Sequence, residues 1–382
     1  MNYKNQYKKA VGNILNTNPN HLFFYWKGRI ALYAALKALN IKKGDEVILP
    51  AFTCVVVPNA IKYLEATPIY VDIDDQTYNT TLEKIKAKRT PNTKAIIIQN
   101  TFGLTSNVDE ISDYCKKENI PSIEDCTHGF GGTYNNKPNG SFCDFAFYST
   151  QWNKPYSTGI GGILMVNNSA YIPIIQSIEK ELIQPSFKDK AILKALIFAR
   201  ENILNSKNYW TLLKLYRWLS KHKLVIGSSS PDELASTTMP KNYFKASSSV
   251  QYKTGLKNLK KLENTLQIRI ENAKIYSKFL KEKGKTFVNE SLFQNHSFLK
   301  YPLLVNNRTT FIEEAEKVNI DIGEWFVSPL HPIESDLSSW DLDIEQFPTA
   351  KEKASKMVNL PTDTEDISHV LNFLENNINL IC

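Results

Sequence analysis

Two short stretches decide the fold: Ile-Glu-Asp-Cys-Thr-His at residues 123–128, and Ser-Thr-Gln-Trp-Asn-Lys at residues 149–154. A glycine-rich turn, Gly-Ile-Gly-Gly, follows at residues 159–162. The polar groups of both stretches come at or just after the ends of apolar, strand-like segments. An acid, an imidazole, a hydroxyl and a lysine are therefore expected near one another.

This set of side chains suits an aldehyde cofactor that is held as a Schiff base. Lys154 is the candidate covalent anchor, and its amine can also move a proton once it is displaced. Asp125 is the candidate that keeps a pyridine nitrogen protonated. A hydroxyl such as that of Ser149, with nearby backbone N–H groups, can hold a phosphate. The alternatives are an ordinary surface lysine and an aspartate that caps a strand-end loop.

Apolar segments alternate with amphipathic helical segments through the first half of the chain. The predicted strands lie at residues 47–49, 68–74, 94–100, 121–125, 144–149 and 162–166. Strands that are almost entirely apolar predict a mainly parallel sheet covered on both faces. Ligand sites in such sheets lie beyond the carboxyl ends of the strands. Phe52, Asp125 and Ser149 all fall at such ends.

The ordered set of motifs resembles the DegT/DnrJ/EryC1/StrS sugar aminotransferases, fold-type I enzymes that use pyridoxal 5′-phosphate (PLP). That family has an Asp within an Ile-Glu-Asp strand, a Gln or His three residues later, and a Ser-x-x-x-x-Lys before a glycine turn. The resemblance covers about residues 28–162 and 251–382. It implies an α/β fold whose large domain has a mainly parallel seven-stranded sheet, with a smaller α+β C-terminal domain.

Four parts of the chain are expected. They are an N-terminal segment (1–20), a large PLP-binding domain (21–180), an amphipathic helical insertion with a linker (181–240), and a long helix with the small C-terminal domain (241–382). The long helix is predicted at residues 251–279 from leucines at helical spacing.

The resemblance implies a set of cofactor-binding residues: Gly28, Arg29, Ile30, Phe52, Cys54, Asp125, His128, Ser149 and Lys154. His128 is expected near the cofactor ring or its 3′-oxygen, and Ser149 at its phosphate. The helix that begins at Gly28 contacts the phosphate in this family. Arg29 replaces the usual Thr there and is expected to add a direct phosphate contact. The alternative is a helix N-terminus with a surface arginine.

The chain departs from the family pattern at several positions. Cys54 stands where an aromatic residue usually stacks on the cofactor, and Phe52 is the alternative stacking residue. Ile160 replaces the usual Glu of the glycine turn, and Gln151 replaces an aromatic residue or His. Residues 242–245 match poorly the family's Asn-Tyr-Arg-Met segment, which reaches the phosphate in the partner subunit.

The resemblance implies an aminotransferase that converts a nucleotide-linked keto sugar to an amino sugar for lipopolysaccharide or other glycan synthesis. Glutamate is the expected amino donor, and a homodimer with shared active sites is expected. One alternative is the same reaction on a lipid-linked sugar at the membrane. Others are a PLP-dependent sugar dehydratase, which Lys154 disfavours, and an inactive membrane-associated scaffold, which the Asp125 and Lys154 pair disfavours.

Composition limits the remaining possibilities. The formal net charge of +7 comes from 46 basic and 39 acidic residues, with lysines spread along the chain. We therefore expect no nucleic-acid partner. The five cysteines form no Cys-x-x-Cys pair, which disfavours a disulfide framework or a zinc site and suggests the cytoplasm. No signal peptide or transmembrane helix is expected.

Residues 192–224 predict an amphipathic helix with a broad apolar face and a narrow basic stripe. The apolar face comprises Tyr209, Trp210, Leu212, Leu213, Leu215, Tyr216, Trp218 and Leu219. The stripe comprises Lys207, Lys214, Arg217 and Lys221. Such a helix packs on its own core or on a partner subunit, or it lies in the membrane interface as a peripheral contact at the inner face. Both interpretations remain open from the sequence.

Overall fold

The computed structural model describes residues 2–204 and 231–382, together with residues 212, 215, 216, 218–220, 222, 225 and 227. The strands are β1 (Leu22–Tyr25), β2 (Glu46–Pro50), β3 (Thr53–Cys54), β4 (Thr67–Val71), β5 (Thr93–Gln99), β6 (Ser122–Asp125), β7 (Thr133–Tyr134), β8 (Lys137–Pro138), β9 (Phe145–Ser149), β10 (Gly162–Val166), β11 (Tyr301–Leu304), β12 (Leu330–His331) and β13 (Met357–Leu360).

The α-helices of the same residues are α1 (Tyr3–Ile14), α2 (Gly28–Ala38), α3 (Val56–Lys62), α4 (Leu82–Lys88), α5 (Val108–Glu118), α6 (Ile172–Ile178), α7 (Phe187–Asn202), α8 (Pro231–Ala235), α9 (Ser249–Leu259), α10 (Leu262–Glu282), α11 (Arg308–Lys317), α12 (Pro348–Lys356) and α13 (Ile367–Asn376). Within the described ranges, no helix is both long and apolar enough to cross a lipid bilayer.

Seven strands form the central sheet, in the order β1-β10-β9-β6-β5-β2-β4. Strand β10 runs opposite to the other six, and the pairs from β9 through β4 are parallel. The predicted mainly parallel sheet is confirmed. Because β6 and β9 are parallel neighbours, their last residues, Asp125 and Ser149, reach the same edge of the sheet.

Burial on both faces explains why the strands are apolar throughout. In β5, Ala95 and Ile97 pack into one core cluster, whereas Ile96 and Ile98 pack into another. This alternation follows from the two-residue period of a strand. Full burial of one such isoleucine contributes about 1.5–3 kcal/mol to the free energy of unfolding. The helices that cover the two faces therefore stabilise the sheet.

The glycine turn before β10 is required by close packing. A Cβ atom at Gly162 would lie 2.3 Å from the carbonyl oxygen of Lys27, which precedes α2. Gly159 has a φ of +83°, a left-handed conformation that glycine adopts without strain. The turn therefore lets the segment after Lys154 pass directly against the start of α2.

The C-terminal part returns to the edge of the large sheet. A second core lies between α10, α11 and α13 and the antiparallel pair β11–β13. From this unit, β12 pairs in parallel with β3, and Leu330 and His331 lie opposite Thr53 and Cys54. The loop that precedes β12 is thereby brought to the carboxyl edge where Asp125 and Ser149 lie.

The single long helix predicted at residues 251–279 is wrong. The structure has two helices, α9 and α10, separated at Lys260 and Lys261. Helix α9 packs on α1, where a Cβ at Gly255 would lie 2.4 Å from the Tyr7 ring, whereas α10 enters the C-terminal core. The break between the helices lets α9 and α10 pack against different parts of the protein. No Pro or Gly stands at the break, so the sequence pattern did not indicate it.

The continuous helix predicted at residues 192–224 is also wrong. Helix α7 begins earlier, at Phe187, where Ser186 and Asp189 form a capping box, and it ends at Asn202. Residues 203 and 204 are not helical. Several predicted face residues lie outside the described residues: Tyr209, Trp210, Leu213, Lys207, Lys214, Arg217 and Lys221.

Candidate active site

A cavity of about 580 Å³ lies at the carboxyl edge of the sheet. Seven of the predicted site residues line it: Gly28, Arg29, Cys54, Asp125, His128, Ser149 and Lys154. Asp125 and Ser149 arrive from the ends of β6 and β9, and Cys54 arrives from β3. The sheet therefore brings together residues that are up to 126 positions apart in the chain, counted from Gly28 to Lys154.

Asp125 is a buried acid, and its side chain borders the cavity. Its Oδ1 accepts a hydrogen bond from the backbone N–H of Thr127 at 2.9 Å. Burial raises the pKa of this carboxyl, whereas the hydrogen bonds from Thr127 and the charge of Lys154 act in the opposite direction. The nearby lysine therefore favours the charged form that a protonated pyridine nitrogen needs as its partner.

Lys154 lies in the turn between β9 and β10, and its backbone N–H donates to the carbonyl of Gln151 at 3.1 Å. Burial lowers the pKa of its amine to about 8, and the charges of Arg29 and Lys300 add to this effect. Asp125 partly offsets the fall. At mildly alkaline pH the amine is thus neutral for a large part of the time, as a nucleophilic lysine requires.

His128 is held as a neutral ring by its surroundings. Its Nδ1 accepts a hydrogen bond from the backbone N–H of Phe102 at 3.1 Å, which leaves the ring proton on Nε2. Burial is the main cause that lowers its pKa well below the ordinary value, and the charge of Lys154 contributes. The ring can therefore act as a fixed hydrogen-bond donor at the cavity.

Trp325 is a site residue that the sequence analysis missed. Its ring stacks on that of His128, with centroids 4.8 Å apart and an angle of 7° between planes. The Nζ of Lys154 lies 4.4 Å from the centroid of the same indole. Trp325 belongs to the loop before β12, and none of the motifs in the sequence analysis includes it.

The buried Asn359 of β13 fixes the backbone of Trp325. The N–H of Trp325 donates to Asn359 Oδ1 at 2.8 Å, and Asn359 Nδ2 donates to the carbonyl of Trp325 at 2.7 Å. His331, the last residue of β12, also borders the cavity. The C-terminal part of the chain therefore completes a site that begins on the large sheet.

The start of α2 lies directly against Ser149. A Cβ atom at Gly28 would lie 2.9 Å from the Ser149 Cβ, so a side chain at position 28 would displace this contact. Backbone N–H groups at a helix N-terminus favour an anion. Gly28 and Ser149 thus form a small cradle that is suited to a phosphate.

Arg29 has an unexpected partner in the segment between β10 and α9. Its Nη1 lies 2.5 Å from Glu233 Oε1, and the two side chains are 6% and 5% exposed. Lys27 approaches the other oxygen of Glu233 at 3.8 Å. The alternative of a surface arginine is wrong. A direct phosphate contact by Arg29 stays a prediction, because the guanidinium is already paired with Glu233.

Two predicted cofactor contacts need correction. Phe52 does not border the cavity but lies in the core, 5.0 Å from the Phe326 ring centroid. Strand β2 ends at Pro50 and β3 begins at Thr53, so the alternation that would turn Phe52 toward the site is interrupted. Cys54 faces the cavity instead. The side chain of Ile30 is buried, and its backbone N–H donates to the carbonyl of Lys27 at 3.2 Å. Neither the side chain nor the N–H is therefore available to a cofactor.

Comparisons with known proteins agree with this geometry. The sequence model of the DegT/DnrJ/EryC1/StrS aminotransferase family matches residues 22–192 and 248–375. GDP-perosamine synthase of Escherichia coli O157:H7 is 41% identical over 141 residues, which cover 37% of this chain and 39% of that protein. The chain thus matches about two fifths of the length of that relative.

Longer matches extend over most of the chain. An uncharacterized protein of Methanocaldococcus jannaschii is 30% identical over 356 residues, which cover 89% of this chain and 81% of that protein. The crystal structure of the aminotransferase TlmJ from Streptoalloteichus hindustanus has a TM-score of 0.76 at 17% identity, over 99% of this chain and 91% of that one. This last likeness shows the fold.

The residues around the cavity fit PLP. Lys154 would hold the aldehyde carbon, and Asp125 would hold the ring nitrogen. The Nε2 proton of His128 would face the ring oxygen, and the cradle of Gly28 and Ser149 would hold the phosphate. The fit rests on the close approach at Gly28, which a Cβ atom would fill, and on the pairing of a buried acid with a lysine of lowered pKa.

We predict that Lys154 is the lysine that binds PLP covalently. Reduction of the PLP-loaded protein with borohydride, followed by peptide mapping, should place the pyridoxyl group on Lys154. The rate of PLP capture should rise as the pH passes through about 8, because the neutral amine is the reactive form. A Lys154→Arg variant is the control. A label on another lysine of the wild-type protein would contradict the assignment.

We predict that Asp125→Asn lowers the rate of amino transfer by more than about tenfold, or about 1.4 kcal/mol in the barrier. An amide cannot keep a proton on a pyridine nitrogen. The matched control is Glu124→Gln, which changes the preceding buried carboxyl, whose partner is Asn100 at 3.1 Å. The control should remain within tenfold of the wild type. Circular dichroism checks the fold, and an Asp125→Asn rate like that of the control would refute the role.

Proposed function

The chain belongs to the DegT/DnrJ/EryC1/StrS aminotransferase family of PLP-dependent sugar aminotransferases, and on this premise we propose a specific reaction. The protein transfers an amino group from an amino acid, with glutamate as the expected donor, to the keto carbon of a nucleotide-linked sugar. The observation that carries the proposal is the presence of Asp125, His128 and Lys154 around one cavity. The product would serve surface polysaccharide or other glycan synthesis.

The similarity to GDP-perosamine synthase supports a nucleotide as the carrier of the sugar. That similarity concerns only part of each protein, so it does not name the sugar. The intact Lys154 favours amino transfer over the dehydratase alternative. The pairing of Asp125 with Lys154 favours an enzyme over an inactive scaffold.

Bound PLP supplies an electron sink for the negative charge that develops when a proton leaves carbon. Asp125 keeps the proton on the ring nitrogen, which that sink requires. The Nζ of Lys154 would take the proton from the substrate carbon and deliver it to the aldehyde carbon of the cofactor. His128 donates its Nε2 proton toward the ring oxygen, and Trp325 covers His128 and Lys154 on the side of the C-terminal loop.

A screen of keto sugars tests the proposal. Keto sugars linked to GDP, UDP and dTDP would be incubated with the PLP-loaded protein and glutamate, and the products would be measured by mass spectrometry. We expect an amino sugar from at least one of them, and none with the Lys154→Arg variant. If PLP binds covalently at Lys154 but no keto sugar is aminated with glutamate or other amino acids, the proposed reaction is wrong.

A second candidate is the same reaction on a lipid-linked sugar at a membrane surface. It is favoured by the outer face of α7, where Phe187 is 87% and Phe198 is 60% exposed. The exposed Lys188 and Lys194 lie on the same helix. Aromatic residues and lysines in this arrangement suit an anionic membrane interface. The competing interpretation is contact with a second copy in the homodimer that the family resemblance implies.

The two interpretations of the α7 face predict different behaviour. For membrane contact, the wild type should sediment with anionic liposomes at low salt, and a Phe187→Glu, Phe198→Glu variant should not. For dimer contact, the wild type stays in the supernatant, and the same variant shifts from dimer to monomer in light scattering. An Ile275→Glu, Val318→Glu variant, which changes partly exposed apolar residues elsewhere, is the matched control. If the Phe187→Glu, Phe198→Glu variant behaves like the wild type in both sedimentation and light scattering, both interpretations are wrong.

A further inference from the structure

One wall of the active-site cavity comes from a part of the chain that the family model does not match. Residues 193–247 lie between its two matched segments, and we call them the insertion. The described aliphatic residues of the insertion that border the cavity include five that flank residues 205–230: Leu196, Ala199, Ile203, Leu204 and Leu234. They share the cavity with Lys154, so a ligand beside the lysine can extend toward these residues.

Further aliphatic residues of the large domain extend the wall. Leu32 of α2 and Val56 and Val57 of α3 border the same cavity. We call these three residues and the five from the insertion the apolar wall. The polar residues described above, by contrast, come mainly from the ends of β6 and β9. The cavity thus combines a polar part, which suits the cofactor and a sugar, with an aliphatic part that neither of them needs.

The apolar wall is anchored to the catalytic region. Leu193 of α7 is fully buried, and a Cβ at Gly159 would lie 2.8 Å from its Cδ1. The Arg200 guanidinium lies 5.5 Å from the ring centroid of Trp152, two residues before Lys154. Helix α7 is therefore held in a defined position relative to the lysine.

A second anchor lies at α8. Glu233 pairs with Arg29 at 2.5 Å, and its backbone carbonyl accepts a hydrogen bond from Asn59 Nδ2 at 2.8 Å. Because Leu234 is the next residue, these two contacts set its position beside α2 and α3. The parts of the apolar wall that lie in α7 and in α8 are thus each held against the large domain.

We propose that the apolar wall is a subsite for a hydrocarbon chain that is covalently attached to the substrate sugar. Aliphatic side chains stabilise a bound diphosphate or the polar edge of a base very little. A hydrocarbon chain, by contrast, binds about fourfold more tightly for each of its methylene groups that such side chains remove from water. The chain is either an acyl substituent on the sugar or the hydrocarbon of a carrier at the anomeric oxygen. This inference rests on the proposed function, because the same cavity must hold the sugar beside Lys154.

Two series of sugar probes test the subsite without turnover. One is methyl, butyl and hexyl β-glucoside, and the other is N-acetyl-, N-butanoyl- and N-hexanoyl-glucosamine. Each would be titrated calorimetrically into the PLP-loaded protein. We expect the dissociation constant of one series to fall by up to about fourfold for each added methylene. A dependence in the glucosides indicates a carrier chain, and one in the glucosamines indicates an acyl substituent. No dependence in either series overturns the proposal.

A pair of double variants in α7 locates the effect. Leu196→Asn with Ala199→Asn places two amides on the apolar wall and should weaken the six-carbon probe by at least about tenfold, with little effect on the shortest probe. Ala191→Asn with Ala195→Asn makes the same kind of change on exposed positions of the same helix and should leave both affinities unchanged. Equal losses in the two variants would refute a specific subsite.

The outcome separates this inference from the proposed function. The affinity series needs only bound PLP, which its absorbance reports, and it does not need catalysis. Chain-length dependence in a protein that aminates no keto sugar would support the subsite and refute the reaction. Amination of a keto sugar without chain-length dependence would support the reaction and refute the subsite.

Discussion

The carboxylate of Asp125 and the amine of Lys154 share one cavity, and each influences the charge of the other. Burial disfavours the charged form of both groups, while the opposite charge of the partner favours it. The same burial keeps His128 neutral and lowers the pKa of His331 to about 4. The site therefore holds an acid–lysine pair beside two neutral imidazoles, which is the arrangement that a cofactor with a charged ring nitrogen and an aldehyde requires. The parallel sheet makes it possible, because β6 and β9 end side by side.

Arg29 and the insertion are physically linked. A Thr at the second position of α2, as the family pattern has it, would place no charge there, whereas an arginine places a cation that is only 7% exposed. Leaving such a charge unpaired costs about 3–5 kcal/mol. Glu233 supplies the compensating carboxylate, and it belongs to the insertion. The departure at the start of α2 and the extra segment are thus two parts of one structural change, which also places Leu234 at the cavity.

The sequence was sufficient where local pattern determines structure. Apolar runs located the strands that end at Asp125 and Ser149, and motif spacing located Lys154. The sequence was insufficient where contacts between residues far apart in the chain determine the local structure. The break at Lys260 depends on packing of α9 against α1, and the choice between Phe52 and Cys54 depends on β2 ending at Pro50. Trp325 reaches His128 only because the C-terminal unit folds back onto the sheet, and Glu233 reaches Arg29 only through the tertiary fold.

Trp325 changes which part of the chain controls the reaction centre. In the family pattern an aromatic residue near Thr53 covers the cofactor, so that contact would belong to the large domain. Here Cys54 holds that position, and the large aromatic ring beside Lys154 comes from the loop before β12. Its backbone is bound to Asn359 of β13, and β12 pairs with β3. A shift of the C-terminal unit relative to the sheet would therefore move Trp325 and His331 together, away from His128 and Lys154. The surroundings of the catalytic lysine consequently depend on how the two units pack, as well as on the sheet that carries the lysine.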